Sequence, residues 1–467
     1  MTPAAPITGP LPKGYELLWE RMHELSPGDP GGSRFTALLT RDLHGPVDVA
    51  VLGTALREVT RRHDMLRMRF ADIAPEPAVS IDTEVDAPLS VVDLRACPQP
   101  RRRAELEYHL YGESIRRFDL TVAPLWRACL VRLTDDRSLL CLSFPDLLFD
   151  AWSDRILVQD LLRCYAAGLG LAPAPAVMPA GYRELVALHE RQYGRTSASV
   201  VAQAGRLRRL PPMLPVEPRR ASAGDLLLDP ATVEFEFSAE TTAGLEHSAL
   251  RLRTTTYVVL MTAYAMFVAS GARSSRAVLS TVTLGRQSRA EREIVGQFGQ
   301  DVFVPVDIDW REPVEALIAR VHRDLVTARL ARTGYRNLVR LIGADRYPRP
   351  WSDLHLYDSY FQSVVPGTSP QAEGPLQVGE TPDIVPKPRP GEDGYPKVGE
   401  IASAALPAWQ KQAAPWIVVG GERQGGALNY NRSFYDDSRM AARVEAFLDV
   451  VRGVAADAGR PAWRAVG

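Results

Sequence analysis

The chain has 467 residues, of which 46% are hydrophobic and 24% charged, so it is long enough for two or three globular domains with a sizeable core. The net charge is −1, and no basic run with interleaved aromatic residues occurs, which excludes the usual footprint of a nucleic-acid-binding protein. The longest apolar helix candidate, at residues 257–269, is about a dozen residues long and is too short for the ~20 that span a bilayer. We therefore expect neither nucleic acid nor a membrane as a partner.

The N-terminal segment has no charged n-region followed by an apolar run, so we predict no signal peptide and a cytoplasmic protein. The four cysteines form no C-x-x-C pair, which favours buried free thiols in a reducing compartment over disulfides. They are Cys97, Cys129, Cys141 and Cys164.

The first 170 residues predict a mixture of helices and strands. Apolar residues at helical spacing predict helices at residues 15–25, 47–62, 101–117 and 155–167. Alternating or continuous apolar runs predict strands at residues 35–43, 125–133 and 137–144. We interpret residues 1–170 as an N-terminal lobe.

Residues 171–228 are rich in Ala and Pro around one predicted helix, at 180–193, and are interpreted as a linker. Residues 229–467 then form a second α/β lobe. Its predicted helices are 239–250, 254–269, 313–330 and 438–455. Its predicted strands are 233–237, 277–283, 302–308, 416–419 and 427–431, with a further one beginning at 294–298. The Pro-rich segment 366–396 predicts a partly ordered loop, with disorder as the alternative.

A pair of carboxylates marks the candidate site. Asp146 and Asp150 follow the apolar run that ends at Phe144, and Ser153 lies three residues further on, before a helical pattern. Loops between a buried strand and a helix are where binding and catalytic residues concentrate. This stretch therefore predicts a functional site.

Short motifs in a fixed order connect this stretch to a family. They are Leu11-Pro12 with Trp19, His63-Asp64-Met65-Leu66-Arg67, Phe118-Asp119-Leu120 with Pro124-Leu125, Gly285-Arg286, Val295-Gly296-Gln297-Phe298, and Leu428-Asn429-Tyr430-Asn431 with Phe434. By their order and spacing the chain resembles the condensation domains of nonribosomal peptide synthetases and, more distantly, their heterocyclisation relatives. The resemblance covers nearly the whole chain, although Tyr15 stands where the family usually has Gln.

The resemblance implies two chloramphenicol-acetyltransferase-like lobes in a V-shaped pseudo-dimer with a central tunnel. Two phosphopantetheine arms, carried by peptidyl or acyl carrier proteins, enter that tunnel, and no cofactor is bound permanently. In the family motif His-His-x-x-x-Asp-Gly, the second His orients or deprotonates the attacking amine and the Asp is structural. We expect a monomer, and Arg67 and Arg286 as structural arginines, with Arg286 paired to Asp150.

The family motif is altered in this chain. Pro145 and Asp146 occupy the two histidine positions, Asp150 matches the family Asp, and Ala151 replaces the Gly. The heterocyclisation relatives carry Asp-x-x-x-x-Asp-x-x-Ser, and here the first Asp arrives one residue late. We therefore list Asp146, Asp150 and Ser153 as candidate catalytic residues, with Asp146 at the histidine position. A carboxylate with an ordinary pKa near ~3.9 is a weak base unless burial raises that pKa.

Two functions are consistent with these residues. The first is a free-standing condensation-type acyltransferase of secondary-metabolite biosynthesis, forming an amide or acting as a cyclisation enzyme. No adenylation, carrier or thioesterase domain fits in the remaining length, so we expect carrier proteins to act in trans, or the chain to be an excised domain. The second is a non-catalytic condensation-like module that binds carriers and recruits a partner enzyme, with Asp146 as a relic.

Overall fold

A computed structural model of the chain describes residues 5–19, 32–33, 36–70, 77–148, 150–209, 230–343, 360–364, 376–380, 416–420, 425–432 and 435–466. Most of the predicted loop 366–396, residues 210–228 of the predicted linker, the predicted helix beyond Trp19, and Phe434 lie outside these residues. The described residues belong to two compact units. The first is Met1–Gln192, Leu284–Gly299 and Gly367–Trp409; the second is Tyr193–Thr283, Gln300–Pro366 and Gln410–Gly467.

The strands are β1 (Ile7–Pro10), β2 (Gly32–Ser33), β3 (Thr36–His44), β4 (Met68–Phe70), β5 (Ala78–Ile81), β6 (Leu89–Asp93), β7 (Phe118–Asp119), β8 (Arg127–Arg132), β9 (Arg137–Pro145), β10 (Pro230–Glu236), β11 (Arg276–Thr283), β12 (Gln300–Asp307), β13 (Tyr360–Val364), β14 (Gln377–Glu380), β15 (Trp416–Gly420) and β16 (Gly425–Asn431). The helices are α1 (Val49–Arg62), α2 (Gln99–Ile115), α3 (Ala151–Gly168), α4 (Tyr182–Tyr193), α5 (Ala198–Arg208), α6 (Ala239–Arg251), α7 (Thr256–Gly271), α8 (Val314–Leu330), α9 (Tyr335–Ile342) and α10 (Asp437–Ala456).

The first unit is built on a five-stranded sheet in the order β14-β3-β9-β8-β6. Strand β9 lies in the middle and reads as a continuous apolar run because both of its faces are buried. One face of β8 and β9, with Leu130 and Leu142, joins the main core of the unit. The opposite face, with Val131 and Cys141, packs in a separate cluster with Leu110 of α2. This sandwich fixes the end of β9, where the candidate site begins.

The second unit is built on a six-stranded sheet in the order β10-β16-β15-β13-β11-β12. Helix α7 is apolar on nearly all sides because it is buried in the core of this unit, where it contacts α6, α8 and α10. Among the described residues, no single helix is long and apolar enough to cross a bilayer. Helices α6 and α7 reach that length and composition only when taken together across a bend of 108°.

The predicted mixed α/β class is confirmed, and most predicted elements occur within a few residues of their expected bounds. Helices α5 and α9 and strands β1, β2, β5, β6, β7, β13 and β14 were not predicted from the sequence, and β14 lies within the segment 366–396, for which a loop was predicted. The predicted strand at residues 294–298 is wrong, since this segment is irregular. Its backbone amides bond to side chains instead of to a neighbouring strand, as described below.

Candidate functional site

The predicted strand, loop and helix around Asp146 are present. Strand β9 ends at Pro145, a short 3-10 turn covers Asp146–Leu148, and α3 begins at Ala151. Leu147 and Leu148 are both buried, so the turn is anchored by its apolar residues. Asp146 is the first residue after the central strand β9. Its backbone is part of the turn, while its carboxyl group lies outside the described part of the structure.

Asp150 caps the first turn of α3. Its Oδ1 accepts hydrogen bonds from the backbone N–H and the hydroxyl of Ser153, both at 2.9 Å. Its Oδ2 accepts the N–H of Phe298 at 3.0 Å. A carboxylate at a helix N-terminus satisfies amides that have no partner within the helix and interacts favourably with the helix dipole.

Arg286 pairs with Asp150 in two places, as the family resemblance implied. Its Nη2 lies 2.9 Å from Asp150 Oδ1, and its Nε lies 3.2 Å from Oδ2. The guanidinium also donates to the carbonyls of Ile294 at 2.6 Å and Gly296 at 2.8 Å, and to that of Glu291. Because Arg presents a planar fork of donors, it can hold the carboxylate and this loop at once.

The loop that carries Arg286 is shaped by a glycine. Gly285 has φ = +68°, and a Cβ there would lie 1.6 Å from the carbonyl oxygen of Phe298. The Phe298 ring in turn lies against the guanidinium of Arg286, whose Cζ is 4.2 Å from the ring centroid. Residues 285–298 are thus folded back on themselves around the arginine side chain.

Ser153 completes this network. Its side chain is fully buried, and its hydroxyl lies 2.9 Å from the carbonyl of Gly296 and accepts hydrogen bonds from the N–H of Gly296 at 3.0 Å and from Arg286 at 2.9 Å. We call Asp150, Ser153 and Arg286, with the backbone of residues 294–298, the Asp150 lock. All of it belongs to the first unit.

The lock has the chemistry of a structural element. The Asp150 carboxylate receives five hydrogen bonds, and the Arg286 and Asp150 side chains are 1% and 8% exposed. A carboxylate with its lone pairs occupied, and a serine with no solvent exposure, are poorly suited to proton transfer with a substrate. The contacts account for Asp150 and Ser153 as structural residues, and a direct catalytic step by either stays a prediction.

Arg67 makes its contacts elsewhere in the first unit. It pairs with Asp64 at 2.6 Å and donates to the carbonyl oxygens of Asp82 at 2.6 Å and Thr60 at 3.2 Å. It ties the end of α1 to the connection after β5. These contacts agree with the structural role predicted for Arg67. The structure places the other four predicted positions, Asp146, Asp150, Ser153 and Arg286, together around the turn after β9.

Two histidines near these elements are packed rather than poised for proton transfer. His189 of α4 is fully buried, accepts the N–H of Gly14 at its Nδ1 (3.1 Å), and has a pKa lowered to about 3 by burial and by the nearby charge of Arg286. His63 is buried and lies 3.0 Å from Asp160, which also pairs with Arg62. Neither ring has the features of a replacement for the missing motif histidines.

Tyr15 is a residue at the site that sequence reasoning did not single out. Its hydroxyl donates to the carbonyl of Leu148 at 3.3 Å and accepts the N–H of Gln297 at 2.9 Å. It therefore touches both the turn after β9 and the loop of the Asp150 lock. The sequence feature that could have indicated this role is the position of Tyr15 in the first motif, where the family usually has Gln.

Comparisons with known proteins place this geometry in a family. A family model described as "Condensation domain" matches residues 20–350. The chain is 29% identical over 323 residues to phosphinothricin tripeptide synthetase PhsB of Streptomyces viridochromogenes, a match covering 68% of this chain and 27% of PhsB. It is 28% identical over 323 residues to PhsC of the same organism, covering 68% of this chain and 30% of PhsC. The chain thus spans less than a third of the length of these relatives.

Two solved structures show the same fold. SgcC5 from Streptomyces globisporus matches with a TM-score of 0.74 at 20% identity, over 96% of this chain and 100% of SgcC5. The X-domain from teicoplanin biosynthesis matches with a TM-score of 0.74 at 19% identity, over 97% of this chain and 96% of the X-domain. These likenesses confirm the predicted fold, and the family model matches most of the sequence. The chain belongs to the condensation-domain family of nonribosomal peptide synthetases.

Proposed function

We propose that this protein is a condensation-type acyltransferase of nonribosomal peptide biosynthesis. It joins an acyl or aminoacyl group, held as a thioester on a carrier protein, to an amine or another nucleophile. The observation that supports this is the intact Asp150 lock, which fixes the loop with Asp146 between β9 and α3. A loop held in this way can present a side chain to a substrate without adjusting first.

The reaction requires little covalent participation from the protein. The amine nitrogen attacks the thioester carbonyl, a C–N bond forms, and the C–S bond breaks. The amine proton ends on the released phosphopantetheine thiolate. Asp146 accepts a hydrogen bond from the attacking N–H and orients it, and its low basicity makes positioning of the two tethered substrates the larger contribution.

Carrier proteins with loaded phosphopantetheine arms are therefore the expected partners, and the arm is the only cofactor. We expect product in a panel of aminoacyl-loaded carrier domains mixed with the protein and followed by mass spectrometry. Asp146→Ala should lower kcat because the hydrogen bond that orients the attacking amine is lost, and Asp146→Asn, which keeps an acceptor oxygen, should lower it less. A loss of about 10²-fold or more in both variants would indicate that the carboxylate also assists proton transfer. The control is Asp135→Ala, which removes an exposed carboxylate from the β8–β9 turn and should leave kcat unchanged.

The outcomes separate the parts of the proposal. Unchanged turnover in Asp146→Ala removes Asp146 from the mechanism and leaves positioning alone. Absence of product with every donor and acceptor in the panel contradicts the acyltransferase proposal.

A second candidate is a non-catalytic module that binds carriers and recruits another enzyme. Pro145 and Asp146 in place of the two motif histidines favour it, and a solved complex of the X-domain and OxyB from teicoplanin biosynthesis supplies a precedent in the same fold. This candidate predicts saturable carrier binding by calorimetry together with no product. It also predicts that Asp146→Ala leaves the carrier Kd unchanged.

A further inference from the structure

We propose that Tyr15 is a positioning residue, whose hydroxyl fixes the turn Asp146–Leu148 against the loop 294–298. This inference rests on the proposed function, because it assigns Tyr15 the task of holding the turn that carries Asp146. The side chain itself is fully buried, so the hydroxyl acts inside the protein and touches no substrate.

The hydroxyl joins two segments that are far apart in sequence. Its hydrogen is donated to Leu148 O at 3.3 Å, and its oxygen accepts the N–H of Gln297 at 2.9 Å. A phenol is both donor and acceptor, so a single side chain makes both bonds. Removing it would leave a carbonyl in the turn and an amide in the loop without this partner, within a buried region.

Tyr15 supplies the anchor between two others. Strand β9 fixes Pro145, which pairs in register with Thr36 of β3. The Asp150 lock fixes the start of α3 on the other side of the turn. Leu148, held by Tyr15, lies between these points and only two residues from Asp146. The backbone position of Asp146 therefore depends on the third anchor as well as on the other two.

The ring of Tyr15 lies beside the buried ring of His189, with centroids 6.0 Å apart. The N–H of the neighbouring Gly14 donates to His189, whose ring lies edge-on to Phe298 with centroids 4.8 Å apart. A Cβ added at Gly296 would lie 3.1 Å from the Tyr15 hydroxyl, so the loop packs closely on it. Burial raises the pKa of Tyr15 well above its usual value, so the hydroxyl keeps its proton and remains a donor throughout the working pH range.

The test compares Tyr15→Phe with Tyr182→Phe in the full chain. Tyr182 is the matched control because it is also a buried tyrosine of the first unit, and its hydroxyl donates to the carbonyl of Pro10 at 2.5 Å. Hydrogen exchange followed by mass spectrometry reads the protection of peptides covering the turn and residues 294–299. We expect exchange there to accelerate about tenfold in Tyr15→Phe, the size of one to two hydrogen bonds, and to stay unchanged in Tyr182→Phe.

The second measurement is turnover. In the carrier assay, Tyr15→Phe should lower kcat and leave KM for both carriers unchanged, because the turn is misplaced while docking is not. If the wild-type protein forms no product, the proposed function fails, and the exchange measurement still decides whether Tyr15 holds the turn. Unchanged exchange in both segments, or a loss of protection spread over the whole first unit, would overturn the inference.

Discussion

Breaking the Asp150 lock should destabilise the first unit strongly, and Asp150→Asn is the sharpest way to do it. Asparagine has nearly the same shape and is itself a good N-cap, so it can still accept the N–H of Ser153. It lacks the charge, however, and its amide group would place a donor against the N–H of Phe298 or the guanidinium of Arg286. Arg286, with its side chain 1% exposed, would then have lost its carboxylate partner.

The expected cost follows from that burial. Removing one member of a buried ion pair lowers the free energy of unfolding by about 3–5 kcal/mol, because the remaining charge is left without compensation. Asp48→Asn is the matched control. Asp48 caps α1 by accepting the N–H of Ala50 at 2.9 Å and of Val51 at 3.0 Å, but it is exposed. The same substitution there should cost only a few tenths of a kcal/mol.

The free energy of unfolding of both variants is measured by urea denaturation monitored by hydrogen exchange. Peptides from β9 and α3 report the first unit by itself, which matters because a chain with two units need not unfold in a single step. A loss below about 1 kcal/mol in Asp150→Asn, or a loss equal to that of Asp48→Asn, would refute the view that this pair anchors the start of α3.

Two further predictions concern Gly285, in the loop of the lock, and His189 of α4. Gly285→Ala should destabilise the protein by more than about 2 kcal/mol, whereas Gly170→Ala, at φ = +73° with no atom within 4 Å of the new Cβ, should cost about 1 kcal/mol in a thermal melt. Burial and the charge of Arg286 lower the pKa of His189 to about 3, below its usual value of ~6.5. As the pH falls from ~6.5 towards 3, the unfolded state takes up a proton at this histidine before the folded state does, so the free energy of unfolding decreases over that range. His189→Asn should therefore remove up to about 5 kcal/mol of the loss of stability at acid pH, and an unchanged stability–pH profile would contradict this.

The sequence predicted the parts of this site that lie within one motif. Asp150, Ser153 and the strand–turn–helix around them follow from local pattern, since the apolar run of β9 and the helical spacing of α3 are strong signals. The pairing of Asp150 with Arg286 spans 136 residues and came from the family resemblance rather than from any local pattern. Long-range pairs of this kind leave no trace in a single sequence.

The errors have physical causes as well. The segment 294–298 is apolar enough to resemble a strand, but Gly296, Gln297 and Phe298 give their amides to side chains of Ser153, Tyr15 and Asp150. Helix α5 was missed because it lies beside a Pro-rich stretch, and its apolar residues pack on α9 and β11 rather than forming a long stripe. In both cases tertiary contacts decide a structure that local propensity leaves open.

The lock and the catalytic position are physically separable, and this explains how the chain keeps the fold with an altered motif. The hydrogen bonds that anchor the loop come from Asp150, Ser153, Arg286 and Tyr15, none of which occupies either histidine position. Replacing those histidines by Pro145 and Asp146 therefore removes a base without removing an anchor. The fold alone therefore does not decide catalysis, which depends on the groups present at the site. Product formation by the wild-type protein in the carrier assay distinguishes an acyltransferase from a recruiting module, and the Asp146 variants, measured with the lock intact, then decide whether the carboxylate takes part.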